Sequence, residues 1–502
     1  MRVSMLGASR TLVLAVVAIS LFWIVMLVLL LRREVFLPRL AALSLANPAY
    51  SSESTNTSMG IFLDERMVGT VNVRTNPNTR DGKEGITVGL FSRMRLDMLG
   101  EDNELVVRGN AWFARAGGLS DFDFELVSGD HETSVSAVIS DGFLDAKVNS
   151  GGEEFPVKWP IKDDLVLWNN MGTSTLNVPA MEKGQEYFVD TFDPMTMSVT
   201  HARMTYVGDE SLDIEGTSVT TRVVTTSISG IESKAWISDR GEVMKAETPL
   251  GFTLKRISTR EAATGLDAGD ESNSLLRRVA IVPTGRRPIR GARRMIACLD
   301  GVPKEATVPT DETQQPHTDG CFVIESPSSE EGLDSPGVSF ESMDAYLAAD
   351  PFVQSTHPRI VEQAKSIVGG EVRPWQRAKR INDWVFEHIE KKAVLSLPSA
   401  LDVLATGEGD CNEHTVLFAA LARASGVPAR IAIGVVWSDE YNGFYYHAWP
   451  EVYVGRWVWM DPTFGQSFAD ATHIKLLNGG IEKWWQVAQF LGKLQIDVAT
   501  VE

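Results

Sequence analysis

From Met59 to about Ile257 the chain alternates apolar and polar residues with a period of two, in short runs such as MVGTVNVR, ELVVRGNAWFA, SVSAVIS, TSVTTRVVTTS and KAWIS. Successive side chains on a strand point to opposite faces, so the pattern predicts half-buried β-strands. Turn residues punctuate the runs. Ser140-Asp141-Gly142 and Ser238-Asp239-Arg240-Gly241 read as hairpin connections, where Gly accepts the positive φ of a tight turn. The expectation is an antiparallel β-rich domain of ten or more strands over residues 59–263. A polar linker at 264–274 ends it, and RRVAIVPTG, RRMIACLDG and GCFVIES predict a small β domain over 275–325.

After a Ser/Pro/Glu/Gly stretch at 326–337 the period changes from two to about 3.6, the repeat of an amphipathic helix. Helices are predicted at 342–349, 357–368 and 374–391. Pro374 suits a first helical position, and Ala378, Ile381, Val385 and Ile389 share one stripe. SALDVL at 399–404 adds a turn. Residues 411–425 present Leu417, Ala420, Leu421 and Ala424 on one face and stop at Gly426 and Pro428. Residues 430–437, FYYHAWPEVYV and WVWMDPT then predict three antiparallel strands, the last two joined around Gly455. A helix in IEKWWQVAQFL and a strand in LQIDVATV complete a C-terminal domain over 338–502, which makes the chain an α+β multidomain protein.

The amino-terminal end departs from this pattern. Residues 11–31 (TLVLAVVAISLFWIVMLVLLL) carry no charge and are long enough, at helical rise, to cross a bilayer core. Residues 1–34 therefore predict a tail and transmembrane anchor, and the Ser/Thr/Asn-rich 35–58 a juxtamembrane tether. A cleaved signal peptide is the rival reading, but Arg32, Arg33 and Glu34 follow the run where small residues would be expected. Arg2 and Arg10 nearly balance Arg32, Arg33 and Arg39, so charge alone does not orient the segment. Over its 502 residues the chain is 44% hydrophobic with a net charge of -19, a globular composition whose acidic surface repels phosphates. With neither a basic, aromatic-laced patch nor a Gly-rich phosphate loop, no nucleic-acid partner is expected. Of three cysteines, Cys298 and Cys321 form a candidate disulfide, with two unrelated buried thiols as the alternative. A bond there would contribute roughly 3 kcal/mol and imply an oxidising compartment. With the anchor it favours a cytoplasmic N-terminus and a C-terminal body in the periplasm or outside the cell.

The candidate chemistry lies between Gly407 and Gly465. Cys411 falls in the first turn of a predicted helix, where free N–H groups favour an anion and would lower a thiol's pKa. Asp410 and Glu413 beside it oppose the thiolate. His447 lies in one predicted strand and Asp461 ends the next. This order supplies a nucleophile, a base and an orienting carboxylate, with the Cys411 N–H as first oxyanion donor. His414 reads as a buried, hydrogen-bonded histidine. Its pairing with Cys411 in a metal site is the weaker alternative, because a second Cys/His pair is missing. Arg430 and Glu451 read as structural. No cofactor or metal is expected.

GEGDCNEHTVLFAALARASGVPAR, HAWPEVYV and WVWMDPTFGQ together resemble the transglutaminase-like superfamily, with its papain-like cysteine fold. The resemblance implies that Cys411, His447 and Asp461 are a catalytic triad acting through a thioester. Members include cross-linking enzymes, proteases and amidases, so the implied partner is a protein or peptide. One departure stands out: animal members carry a tryptophan shortly before the cysteine to hold the oxyanion, and none occurs between Lys391 and Cys411. The calcium requirement of those enzymes is not carried over. More weakly, KAWISDRGEVMKAETPLGFTLKRIS resembles the closing hairpins of the curved half-barrel of bacterial lipoprotein carriers, which implies a concave face for a lipid or extended polypeptide. Against the enzyme reading stands a non-enzymatic envelope binding or assembly protein, with the C-terminal fold as an inactive scaffold.

Overall fold

A computed structural model describes residues 53–502 apart from 99–100, 116–117, 162–165, 168–180, 194–196, 215, 229–230, 240, 249–250, 263–278, 305, 319, 334–341 and 395. The apolar run at 11–31 lies outside the described residues. Among them, no helix is long and apolar enough to cross a membrane, so the structure lends the expected anchor no support.

The period-two region forms one fifteen-stranded sheet. Thr55–Leu63 runs through its middle, pairing with Arg66–Arg80 on one side and Phe252–Arg256 on the other. From this seam one wing proceeds by successive hairpins to Glu153–Pro160 at the far edge. The other wing runs back from Phe252–Arg256 to Glu186–Asp193 and a short parallel strand, Val166–Leu167. Both predicted turns are present. Asp141 and Gly142 take φ of 52° and 76°, the pair of positive values a two-residue hairpin needs, and Gly241 at 80° closes the second turn onto Ser238. The sheet curls until its wings meet: Phe192 of one lies 5.6 Å from Phe122 and 5.3 Å from Trp159 of the other.

The small β unit is completed by the chain's tail. Gln495–Val501 lies between Thr284–Gly285 and Arg294–Asp300 in a five-stranded sheet that ends in Cys321–Glu325 and Gln314–Pro316. Cys298 and Cys321 face each other across it and are disulfide-bonded.

Four helices and a four-stranded sheet make the C-terminal domain. The helices are Pro358–Val368, Pro374–His388, Ala400–Thr406 and Cys411–Ala424. The helix expected at 342–349 shrinks to a single 3-10 turn at Asp344–Tyr346, and the one at the tail is a 3-10 segment, Ile481–Gln489. Cys411–Ala424 is enclosed almost all round, with every residue from Glu413 to Ala422 buried, so its surroundings hold it from several sides. The sheet has four strands rather than three. Ala429–Ser438 pairs with Gly443–Tyr453 on one flank and, on the other, with His473–Asn478, a strand the sequence pattern did not reveal.

The curled sheet docks on this domain close to the cysteine. His131, buried at a hairpin end, places Nδ1 2.5 Å from Asp402 Oδ2, with Nε2 3.7 Å from Glu408 Oε1. Burial opposes its charge, but Asp402 and Glu408 outweigh it and its pKa is raised. At the following hairpin on the same end of the sheet, Gly151 (φ 61°) lies so close that a Cβ would come within 2.7 Å of the Asp402 backbone nitrogen. Apolar residues of that wing, Phe122, Leu144 and Val148 among them, are continuous with the core around Leu401 and Phe418.

Candidate active site

Cys411 is the first residue of its helix, and the residues around it build the helix start. Asp410 caps it, accepting the Asn412 N–H at 2.8 Å, while Glu413 reaches back to the Asp410 N–H at 3.0 Å. This reciprocal capping box satisfies donors that a helix start would otherwise leave open. Just upstream Glu390–Lys391 and Glu408–Gly409 form a short parallel pair, and Lys392 binds Glu408 at 2.9 Å. The peptide leading into the nucleophile is thus held along residues 390–392.

The neighbouring strand brings the base. Thr415 Oγ1 donates to the Ala448 carbonyl at 3.0 Å, tying the helix to the residue after His447. The Ala448 N–H lies near enough to the Cys411 sulfur to favour its thiolate, and the thiol itself points to Asn412 Oδ1 at 3.8 Å. His447 Nε2 lies 2.8 Å from Asp461 Oδ2. A carboxylate only accepts, so Nε2 carries a proton, and in the neutral ring the lone pair for the thiol's proton is the one on Nδ1. Phe464 packs on the imidazole with ring centres 5.1 Å apart. Asp461 is fixed by its own turn: its Oδ1 accepts Thr463 and Phe464 N–H groups, and its backbone exchanges two 2.8 Å hydrogen bonds with Gln466. Burial alone would raise the Asp461 carboxyl, but the His447 and His473 imidazoles hold it far below the usual carboxylate range.

The expected thiol electrostatics need correction. Burial, followed by the negative charge of Asp410 and with Glu413 and Asp461 adding to it, pushes the Cys411 thiol well up, and the Ala448 N–H offsets this only in part. The resting cysteine is therefore a thiol that must hand its proton to a base when it attacks.

His414 is the buried histidine its pattern suggested. Its Nδ1 meets the Asp410 carbonyl at 2.7 Å, and burial lowers its pKa, so it stays neutral. Arg430 and Glu451 pair, and Glu451 also takes Lys475 Nζ at 2.6 Å, with Asp311 on the lysine's other side. This buried network braces the sheet behind the site.

The residue missed by sequence reasoning is His473, fully buried on the unrecognised strand. Its Nε2 lies 2.9 Å from the same Asp461 oxygen that His447 uses, and its Nδ1 2.9 Å from the Asp470 carbonyl. Its signal was HIKLL, an apolar run bounded by Asn478-Gly479-Gly480, without any motif to mark it. Side-chain atoms of His447, Asp461 and His473 lie within 4.8 Å of one another, close enough to share a metal ion. The hydrogen bonds already account for the three converging atoms, so the set fits protons. The two upstream tryptophans are packed elsewhere: Trp375 stacks on Phe468 and Trp384 on His388.

A half-buried cysteine at a helix start, a histidine on the adjoining strand and a carboxylate behind it define a thiol–imidazole–carboxylate site on an α+β scaffold. Residues 361–462, which contain all three, match the transglutaminase-like superfamily. The chain is 34% identical over 95 residues to an uncharacterized protein of Haemophilus influenzae, a match covering 18% of this chain and 26% of that one. The chain thus spans about a quarter of that relative's length. Among solved structures, a candidate cysteine protease from Cytophaga hutchinsonii shares 17% identity, covering 42% of this chain and 85% of that one with a TM-score of 0.28. A barrel-like protein from Brucella abortus, of a domain family of unknown function, shares 12% identity, covering 42% and 98% with a TM-score of 0.31. Likenesses with scores this low carry no argument about fold or activity.

Proposed function

We propose that this protein is a cysteine-dependent enzyme that cleaves or transfers amide bonds through a thioester at Cys411. The observation that supports it best is Cys411 at the start of a helix that Thr415 ties to the residue after His447, with His447 oriented through Nε2 by a buried carboxylate. In this reading the sulfur attacks the substrate carbonyl as its proton passes to His447 Nδ1, and the Cys411 N–H steadies the oxyanion. The intermediate collapses, the amine leaves with that proton, and the acyl group stays on sulfur. Water or a second amine then takes it. The apolar run at 11–31 would hold the enzyme to a membrane with its N-terminus cytoplasmic, and the Cys298–Cys321 bond favours a body outside the cytoplasm. Incubating the soluble body with Gln-containing peptides, with and without a primary amine, tests the reading by product mass. Ammonia loss with amine incorporation means transamidation, and backbone fragments mean proteolysis. The same product pattern from Cys411→Ala would refute both.

A second reading gives the curled sheet a ligand. A cavity of about 980 Å³ is lined by Trp112, Phe122, Val138 and Val157 and rimmed by both signs of charge, with Arg80 paired to Asp121 and Lys158 to Asp145. It suits an extended polypeptide or an acyl chain. Saturable binding of a fluorescent fatty acid or an unfolded polypeptide, reduced by a charge at the exposed Val138 (Val138→Asp), would support it; equal binding by the variant would not.

A further inference from the structure

An imidazole can donate from a nitrogen only if that nitrogen carries a proton. His473 meets acceptors at both of its nitrogens: the Asp461 carboxylate at 2.9 Å and the Asp470 carbonyl at 2.9 Å. Both nitrogens must be protonated, so His473 is an imidazolium. Its surroundings are built for that charge. Asp470 Oδ1 lies 3.4 Å from Nδ1, and Asp470 is itself held by the Thr472 and Gly291 N–H groups, Gln466 Nε2 and Arg290. The facing charged and titratable groups are thus Asp461 and His447 from the adjoining strand and turn, Asp470 from its own loop, and Arg290 across that loop. Trp449 closes an edge, 5.1 Å between ring centres.

We propose that His473 is a positioning residue for the cysteine chemistry: it pins the Asp461 oxygen that orients His447, so that the ring is held with Nδ1 left to take the thiol's proton. The proposal rests on the amide-transfer reading of the site. Asp461 Oδ2 serves two imidazoles at once, whereas Oδ1 is tied to backbone, so loss of His473 leaves the catalytic bond on a carboxylate held from one side only. A displacement of about 1 Å in a catalytic group can cost on the order of 10²-fold in rate. His473 also supplies a charge that offsets Asp461 in a buried site. Consistent with this, burial lowers its pKa but Asp461 and Asp470 more than reverse that, raising it to about 9.

The test uses the full chain, with p-nitrophenyl acetate as probe of thiol acylation. His473→Leu removes the donor, and His473→Gln restores one donor to Asp461. The expected result is a fall in kcat on the order of 10²-fold for His473→Leu with KM little changed, and recovery of most of it in His473→Gln. Equal losses in both variants, or a loss carried by KM, would overturn the proposal. Histidine ¹⁵N spectra of the wild type need no variant to fold. His473 should show two protonated nitrogens and His447 a proton on Nε2 at about pH 7, and a neutral His473 would overturn the proposal. So would stoichiometric metal bound through His473 in the purified protein. If Cys411→Ala hydrolyses the ester as fast as wild type, the amide-transfer reading fails, while the ¹⁵N spectra still decide the role of His473.

Discussion

At the residue scale the site depends on which groups hold protons. The thiol is raised by burial and then by Asp410, so its alkylation by iodoacetamide should titrate above an ordinary thiol, and Asp410→Asn should move the profile to lower pH. Asn caps a helix about as well as Asp, so the melting temperature should barely change. An unmoved alkylation profile would show that Asp410 is not what opposes the thiolate. Asp461→Asn can present the wrong partner to His447, and a rate loss on the order of 10⁴-fold is expected. His473 adds a pH dependence to stability. Its pKa is raised on folding, to about 9, from about 6.5 in the unfolded chain. Its contribution is therefore complete below about pH 6.5 and lost as pH climbs through 9. The melting temperature should fall across that window in the wild type and fall less in His473→Gln.

At the element scale, much was legible. Cys411, Gly426 and Pro428 bracket a helix in the sequence because cap and stop residues act locally, and the structure places it at Cys411–Ala424. The hairpins at Asp141-Gly142 and Gly241 were equally local. What stayed hidden depended on distant partners. The strand His473–Asn478 is short, buried along most of its length and without alternation, so only its pairing with Ala429–Ser438 makes it a strand. Its hidden histidine follows from that. The thiol's charge balance was misjudged for a related reason, since burial is set by packing that one segment does not record. The buried Lys475 bridging Glu451 and Asp311 gives an element-level test. Lys475→Ala leaves Asp311 without its cation and Glu451 with Arg430 alone, and should cost about 3–5 kcal/mol in denaturant melts. A loss below 1 kcal/mol would mean that water reaches the network.

At the scale of the whole molecule, the β-rich region and the thiol domain share a core and meet beside the segment that leads to Cys411. Gly151→Ala would force a side chain against the Asp402 backbone from a φ that favours glycine. A loss of about 1–3 kcal/mol is expected, with hydrogen exchange rising first around 400–411. If the two regions were independent, exchange there would be unaffected. The tail ties the parts together in another way, because Gln495–Val501 pairs with Arg294–Asp300 next to the disulfide-linked strand. Its local pattern assigns that strand to the thiol domain, since pairing across so long an interval leaves no local trace.

The central claim is that Cys411 is a nucleophile served by His447. Intact-mass spectrometry after mixing the protein with p-nitrophenyl acetate addresses it without knowledge of the natural substrate. One acetyl group should appear on Cys411 and be released by hydroxylamine as a thioester would be. It should be absent from Cys411→Ala and formed on the order of 10²-fold more slowly in His447→Ala. Acetylation of Cys411 at the same rate with and without His447, or none in the wild type, would contradict the account.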